Sequence, residues 1–176
     1  SYLHVNSSKT GNLGTLNAAA NATGANSIAL GPNATAAGPS SIAIGDEAVT
    51  NNSQGTIAIG QNAAANTTNS TVIGRDAKTV GLASDSVVIG LGSIATSTSA
   101  TAIGKNANAS GASSISIGQN TVTTGSATAA LGYNVTATAD NATAVGSYGN
   151  ASGKDSVTVG AASASNNNAV AIGKGA

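Results

Sequence analysis

The chain has 176 residues, enough for one domain of ordinary size, and only 7% of them are charged, with six Lys and Arg balancing six Asp and Glu. Three tyrosines are its only aromatics, and it has no Cys, Met, Phe or Trp. This composition excludes disulfide scaffolds, zinc–thiolate sites, nucleic-acid binders that need a basic excess, and base-stacking platforms.

Residues 1–25 carry no clear period and are expected to form a lead-in and a degenerate first coil. The start does not resemble a signal peptide, and no run approaches the roughly 18 consecutive apolar residues of a membrane span. The chain is therefore expected to be soluble, a mature fragment with no direct membrane contact. His4, the single histidine, is expected in a frayed or capping role.

From Asn26 to Ala176 one pattern takes over. Ile28-Ala29-Leu30-Gly31 recurs as Ile42 to Gly45, Ile57 to Gly60 and Val170 to Gly173, with looser copies between. The closing glycines are Gly31, Gly45, Gly60, Gly74, Gly90, Gly104, Gly118, Gly132, Gly146, Gly160 and Gly173. Their spacings are 14, 15, 14, 16, 14, 14, 14, 14, 14 and 13 residues, too regular for chance.

The residue before each glycine is always large and aliphatic: Leu30, Ile44, Ile59, Ile73, Ile89, Ile103, Ile117, Leu131, Val145, Val159 and Ile172. The residue before that is usually Ala. This period-2 alternation in a β-branched stretch predicts a short strand with a large apolar face and a small one. A weaker alternation follows the glycine, at Ala34 and Ala36, Ala48 and Thr50, and so on to Ser163 and Ser165. It predicts a second strand with small inward side chains. A second turn marker follows seven residues after the closing glycine, at Gly38, Gly81, Gly111, Gly125 and Gly153, with Asn52 and Asn167 in the same register. Gly and Asn accept positive φ cheaply, which is the expected reason for them there.

Each unit is thus strand, turn, strand, turn, and the fold class is all-β: a parallel β-solenoid of coils stacked about 4.8 Å apart. Asn33, Asn62, Asn106, Asn120 and Asn134 fall in one column, where stacked amides stabilise the turn. The aliphatic column is expected inside the roll. That leaves the small column, Ala29 to Ala171, as an outer strip that monomers rarely expose and that invites self-association. The opposite assignment, aliphatics at a subunit interface and Ala inside, remains open. Two units are longer, with extra residues near Asn52 and in Leu82 to Ser86, both after the second turn marker. The longer one lies near the densest charge in the chain, so Arg75, Lys78 and Asp85 are candidate partner contacts, set against a merely tolerated insertion.

The run Asn26-Ser27-Ile28-Ala29-Leu30-Gly31 with Asn33-Ala34 and Gly38 resembles the head repeat of YadA-type trimeric autotransporter adhesins. Ser41 to Gly45 and Asp155 to Gly160 do so as well, and Tyr2-Leu3-His4-Val5-Asn6 is similar to the segment leading into such heads. The resemblance implies a left-handed parallel β-roll, homotrimeric about its long axis and displayed on a bacterial surface. It implies attachment to a host extracellular matrix protein or cell-surface glycoprotein. The neck, coiled-coil stalk and membrane-anchoring barrel of such adhesins have no counterpart here, so the chain is expected to be a head or part of one.

Catalysis finds little support, and the chain is expected not to be an enzyme and to need no cofactor. No Ser-His-Asp or Cys-His set can be assembled. Asp46 and Glu47 sit side by side in a turn and read as a solvated pair. No glycine leads into a helix as a phosphate loop requires, and acids are too few to stack as metal ligands. Asn-x-Ser/Thr triplets such as Asn21-Ala22-Thr23 follow from composition. An ice-binding solenoid needs a continuous Thr rank, which no outward column supplies. A hexapeptide-repeat acyltransferase needs a different period and a histidine in the stack. A structural spacer in a long surface fibre is the remaining alternative to an adhesin head.

Overall fold

A computed structural model describes residues 20–176. His4 and the Tyr2 to Asn6 segment lie outside the described residues, as does most of the expected lead-in. Within them the chain forms two parallel sheets of 11 strands each. First strands have mostly three residues, as in Ile28–Leu30 and Ile42–Ile44, and second strands two, as in Thr35–Ala36 and Val49–Thr50. Each strand pairs with its equivalents one coil before and one coil after, so the coils stack as a solenoid of about 50 Å.

The register holds across the irregular units. Ile42 faces Ile57 and Ile44 faces Ile59 across the 15-residue spacing, while Val87 faces Thr71 and Ile89 faces Ile73 across the 16-residue one. The extra residues are absorbed by the turns, because a one-residue slip within a strand would turn every side chain to the wrong face.

The orientation of the first strand is the reverse of the expected one. Ala43, Ala58, Val72, Val88, Ala102, Ser116, Ala130, Ala144 and Thr158 point inward and are fully buried. Leu30, Ile44, Ile59, Ile73, Ile89, Ile103, Ile117, Leu131, Val145, Val159 and Ile172 point outward, half-buried or exposed. The physical reason is the width of the lumen. Tight turns hold the two sheets so close that the largest fully buried side chains are Val72, Val88 and Val135, followed by threonines. An Ile or Leu has no room there.

The inward positions of the second strand lie where the alternation puts them, from Ala34 and Ala36 through Gly149 and Ala151. The last coil departs. Its unit is one residue short, so Ala162 and Ala164 turn inward and Ser163 and Ser165 are exposed.

The second turn also corrects its explanation. Gly38, Gly111, Gly125 and Gly153 do not have positive φ. They are glycine because a Cβ would strike backbone of the next coil, for example the Ser53 carbonyl at Gly38 and the Gly125 carbonyl at Gly111. The left-handed residue of this turn stands two positions before the next first strand, at Asn26, Ser40, Gly55, Asn69, Asp85, Ser99, Ser113, Ala127, Asn141, Asp155 and Asn168. Asn52 and Asn167 are not left-handed either; Gly81, with φ 68°, is.

Interior hydroxyls close the second turn from within. Ser41 donates to the Gly38 carbonyl at 2.6 Å, Ser70 to the Thr67 carbonyl at 2.6 Å and Thr128 to the Gly125 carbonyl at 2.9 Å. Thr50 donates across the lumen to Ser41 at 2.8 Å, and Thr123 to Ser114 at 3.0 Å. A core of Ala and hydroxyl residues buries little apolar surface per residue, so saturated backbone ladders and these internal bonds carry much of the order.

Candidate functional surfaces

Four surfaces follow from this fold: the outward faces of the two sheets and the two turn edges. The first sheet presents an aliphatic column from Leu30 to Ile172 and beside it a column from Ile28 to Val170 that is mostly aliphatic, with Thr71, Thr101 and Thr143 among its members. Ile28 is 53% exposed, Val170 66% and Ile172 67%. Three residues at about 3.3 Å each and eleven strands at about 4.8 Å give an apolar strip on the order of 500 Å². That is near the upper end of the largest patch a soluble monomer carries. The second sheet shows a mixed outward row that includes Thr35, Val49, Ala64, Lys78, Ile94, Asn108 and Val122.

The first turn edge carries a row of side-chain amides. Asn106 donates Nδ2 to Asn120 Oδ1 at 3.2 Å, and Asn120 donates to Asn134 Oδ1 at 3.0 Å. Asn62 donates instead to Asp76 at 3.1 Å. Asn33 is followed one coil on by Glu47, so the column expected from the sequence is continuous only from Asn106 to Asn134. The second edge repeats the device in pieces, with Asn69 donating to Asp85 at 3.1 Å and Asn141 to Asp155 at 2.8 Å.

The residues singled out for their charge do not converge. Arg75 lies on the first edge, where its Nε is 3.7 Å from Asp76 Oδ2 in a largely solvated pair. Lys78 points outward from the second sheet, in register between Ala64 and Ile94. Asp85 lies on the second edge, across the coil from Arg75. The long turn between Gly81 and Asp85 is well anchored. Ala83 is buried, its carbonyl accepts from Thr67 Oγ1 at 2.8 Å, and the Leu82 carbonyl accepts from Thr98 Oγ1 at 3.0 Å. Leu82 itself is 79% exposed at the tip. Among the described residues, no three His, Cys, Asp or Glu side chains come together in a metal-holding group.

One feature escaped sequence reasoning. Tyr133 and Tyr148 meet on the first edge, ring centroids 5.5 Å apart and planes at 86°. The strands beneath them are lengthened to Ala129–Tyr133 and Thr143–Ser147. The available signal was register. Tyr133 stands one residue after its closing glycine and Tyr148 two residues after the next, where Asn is the usual occupant. A 14-residue stack therefore brings them into adjacent coils.

A comparison with curated proteins gives no match. A family model described as the YadA head domain repeat matches residues 22–48, 52–77, 83–107, 95–121, 109–134 and 124–148. Each matched window spans about two coils, and together they cover well over half of the chain. The repeating strand–glycine unit that builds both sheets is the unit this model describes, and the chain belongs to the YadA head domain family.

Proposed function

We propose that this chain is the head of a trimeric autotransporter adhesin, a non-enzymatic module held at the bacterial cell surface by segments beyond it. It binds a host extracellular matrix protein or cell-surface glycoprotein. The observation that carries the reading is the outward aliphatic strip on the first sheet. Its column from Leu30 to Ile172 is aliphatic in every coil, it has no partner within its own chain, and it belongs to a chain of an adhesin-type family. Three chains wound as left-handed rolls and packed strip to strip would bury it.

Once that strip is covered, the second sheet's outward face and the turn edges remain for a host molecule. Their residues are mostly neutral and polar and recur along the stack. Many weak contacts on three chains give avidity that a single site lacks. Arg75, Lys78 and Asp85 contribute three separate contacts to an extended partner, one from each remaining surface.

Two measurements test the reading. Sedimentation equilibrium should give three times 16.4 kDa, and a monodisperse monomer at micromolar concentration rejects the assembly. Solid-phase binding of the purified head to matrix proteins and host cells should be saturable. Binding to none of them favours a spacer role.

A further inference from the structure

The tyrosine pair is the most irregular feature of an otherwise repetitive surface. Tyr148 is 63% exposed and Tyr133 42%. Tyr148 also holds the left-handed conformation, φ 59°, at the turn position filled by Asn in five other coils and by Gly, Asp or Glu in four. A bulky aromatic is costly there, and such outliers cluster at binding sites. Burial does not explain it, since the ring is largely in solvent.

A second observation lies beside the pair. The amide row runs in one direction, Asn106 to Asn120 to Asn134, each Nδ2 donating to the next Oδ1. The next position is Tyr148, which has no amide oxygen to continue it. The row therefore ends at Asn134, whose Oδ1 accepts from Asn120 and whose Nδ2 has no amide oxygen in the next coil to receive it, polarised by the bonds behind it. On this edge the residues from Gln119 and Asn120 through Tyr133, Asn134, Ser147 and Tyr148 to Ala161 include no charge.

From this we infer that the edge at Tyr133, Tyr148 and Asn134 is a subsite for a neutral pyranose of a host glycan. The aromatic surface packs against the C–H face of the sugar ring, as an apolar body with a polar tip suits a ligand that is apolar on its faces and hydroxylated at its rim. The Asn134 amide donates to a ring hydroxyl, and the two phenols add donors or acceptors. The nearest cations on this edge, Lys105 and Lys174, stand two coils away on either side, about 10 Å along the stack, so the subsite itself offers no charged partner to a sialyl or sulfate group. The inference rests on the adhesin reading and names a ligand chemistry for it. One such subsite per chain would give three per trimer.

The test uses the double variant Tyr133→Gln with Tyr148→Asn, which puts at each position the residue found at the same place in a neighbouring coil, Gln as at Gln119 and Asn as at Asn134, and so keeps the turn chemistry. It should melt at or above the parent temperature. Parent and variant are applied to an array of neutral, sialylated and sulfated mammalian oligosaccharides, and the best neutral binder is followed by saturation-transfer NMR. The parent should bind neutral members, and the variant should bind them about tenfold more weakly or worse. The inference is overturned if the parent binds no neutral oligosaccharide, if the variant binds equally well, or if a polypeptide proves to be the tyrosine-dependent ligand. Dissociation of the variant's trimer also overturns it, because the pair is then an assembly contact. Host-cell adhesion measured alongside separates the two levels. Adhesion kept by the variant removes the sugar subsite alone, whereas a parent that adheres to nothing removes the adhesin reading.

Discussion

Gly90 and Gly92 stand two residues apart in one coil, and replacing each isolates what the closing glycine does. Gly90 has φ +134°, and a Cβ there would lie 2.5 Å from the Gly104 carbonyl oxygen and 2.7 Å from its carbon. Ordinary contact starts at 3.4 Å, so the next coil must move by roughly 0.9 Å, the difference between 3.4 and 2.5 Å. The obstacle is backbone pinned by its own ladder, in which the Gly104 N–H donates to the Ile89 carbonyl at 2.7 Å and the Asn106 N–H to the Leu91 carbonyl at 2.9 Å. The backbone conformation alone costs an alanine about 1–3 kcal/mol, and each strained ladder bond about 1 kcal/mol more. Gly90→Ala should therefore lose about 3–5 kcal/mol, a large share of the roughly 5–15 kcal/mol that holds a domain together. Gly92, with φ +63°, faces only the movable Asn106 Oδ1 at 3.0 Å. Asn occupies the same position in five other coils, so Gly92→Asn should stay within about 0.5 kcal/mol of the parent and can join the amide row. Urea unfolding followed by circular dichroism measures both. If the two variants fall within about 1 kcal/mol of each other, stacking of the closing turns is not what fixes the glycine.

Three further outcomes are expected. Ala102→Leu puts three more heavy atoms into a lumen that accepts nothing larger than valine and should cost about 2–3 kcal/mol, whereas Ile103→Asp, on the outer strip, should leave each roll folded and abolish association; thermal melts and sedimentation separate the two effects. Thr158 Oγ1 is buried with no hydrogen-bond partner, so Thr158→Val should raise stability by about 1 kcal/mol, read as an increased melting temperature. Shortening the turn between Gly81 and Asp85 to the regular repeat length should leave folding intact and weaken host binding; unchanged binding in the solid-phase assay moves the specific contacts elsewhere.

The period was legible because each coil repeats the same backbone task, and the glycine column marks it at nearly constant spacing. The face was not legible, for a specific reason. Alternation fixes that Ala43 and Ile44 point opposite ways, but both are apolar, so hydrophobicity does not tell which is inside. The deciding quantity is the width of the lumen, set by turns too tight to separate the sheets. A subtler signal was present: the inward column never exceeds valine, whereas the outward one ranges over Leu, Ile and Val beside Thr. Restriction by size marks an interior as well as hydrophobicity does. Gly38 was recognised as a turn residue for the wrong reason, because a sequence shows a missing side chain without showing whether φ or a neighbouring coil forbids it. The tyrosines were visible as letters, yet only stacking places Tyr133 against Tyr148.

Departures from the period are therefore where recognition has to be sought. Residues that repeat in every coil are committed to the ladder, the lumen or the aliphatic strip, and an ordinary change there disturbs folding before it changes binding. The exposed side chains of the long turn, Leu82 and Asp85, the Arg75–Asp76 pair and the tyrosine rings are free of those duties. Each interrupts a column without interrupting the strand register, as the pairing of Ile73 with Ile89 and of Leu131 with Val145 shows. A solenoid tolerates such interruptions because its stability is close to a sum over neighbouring coils, so a change on one edge costs little elsewhere. On the proposed trimer, the same additivity would let one irregular coil set specificity while the regular coils supply reach and repeated weak contact.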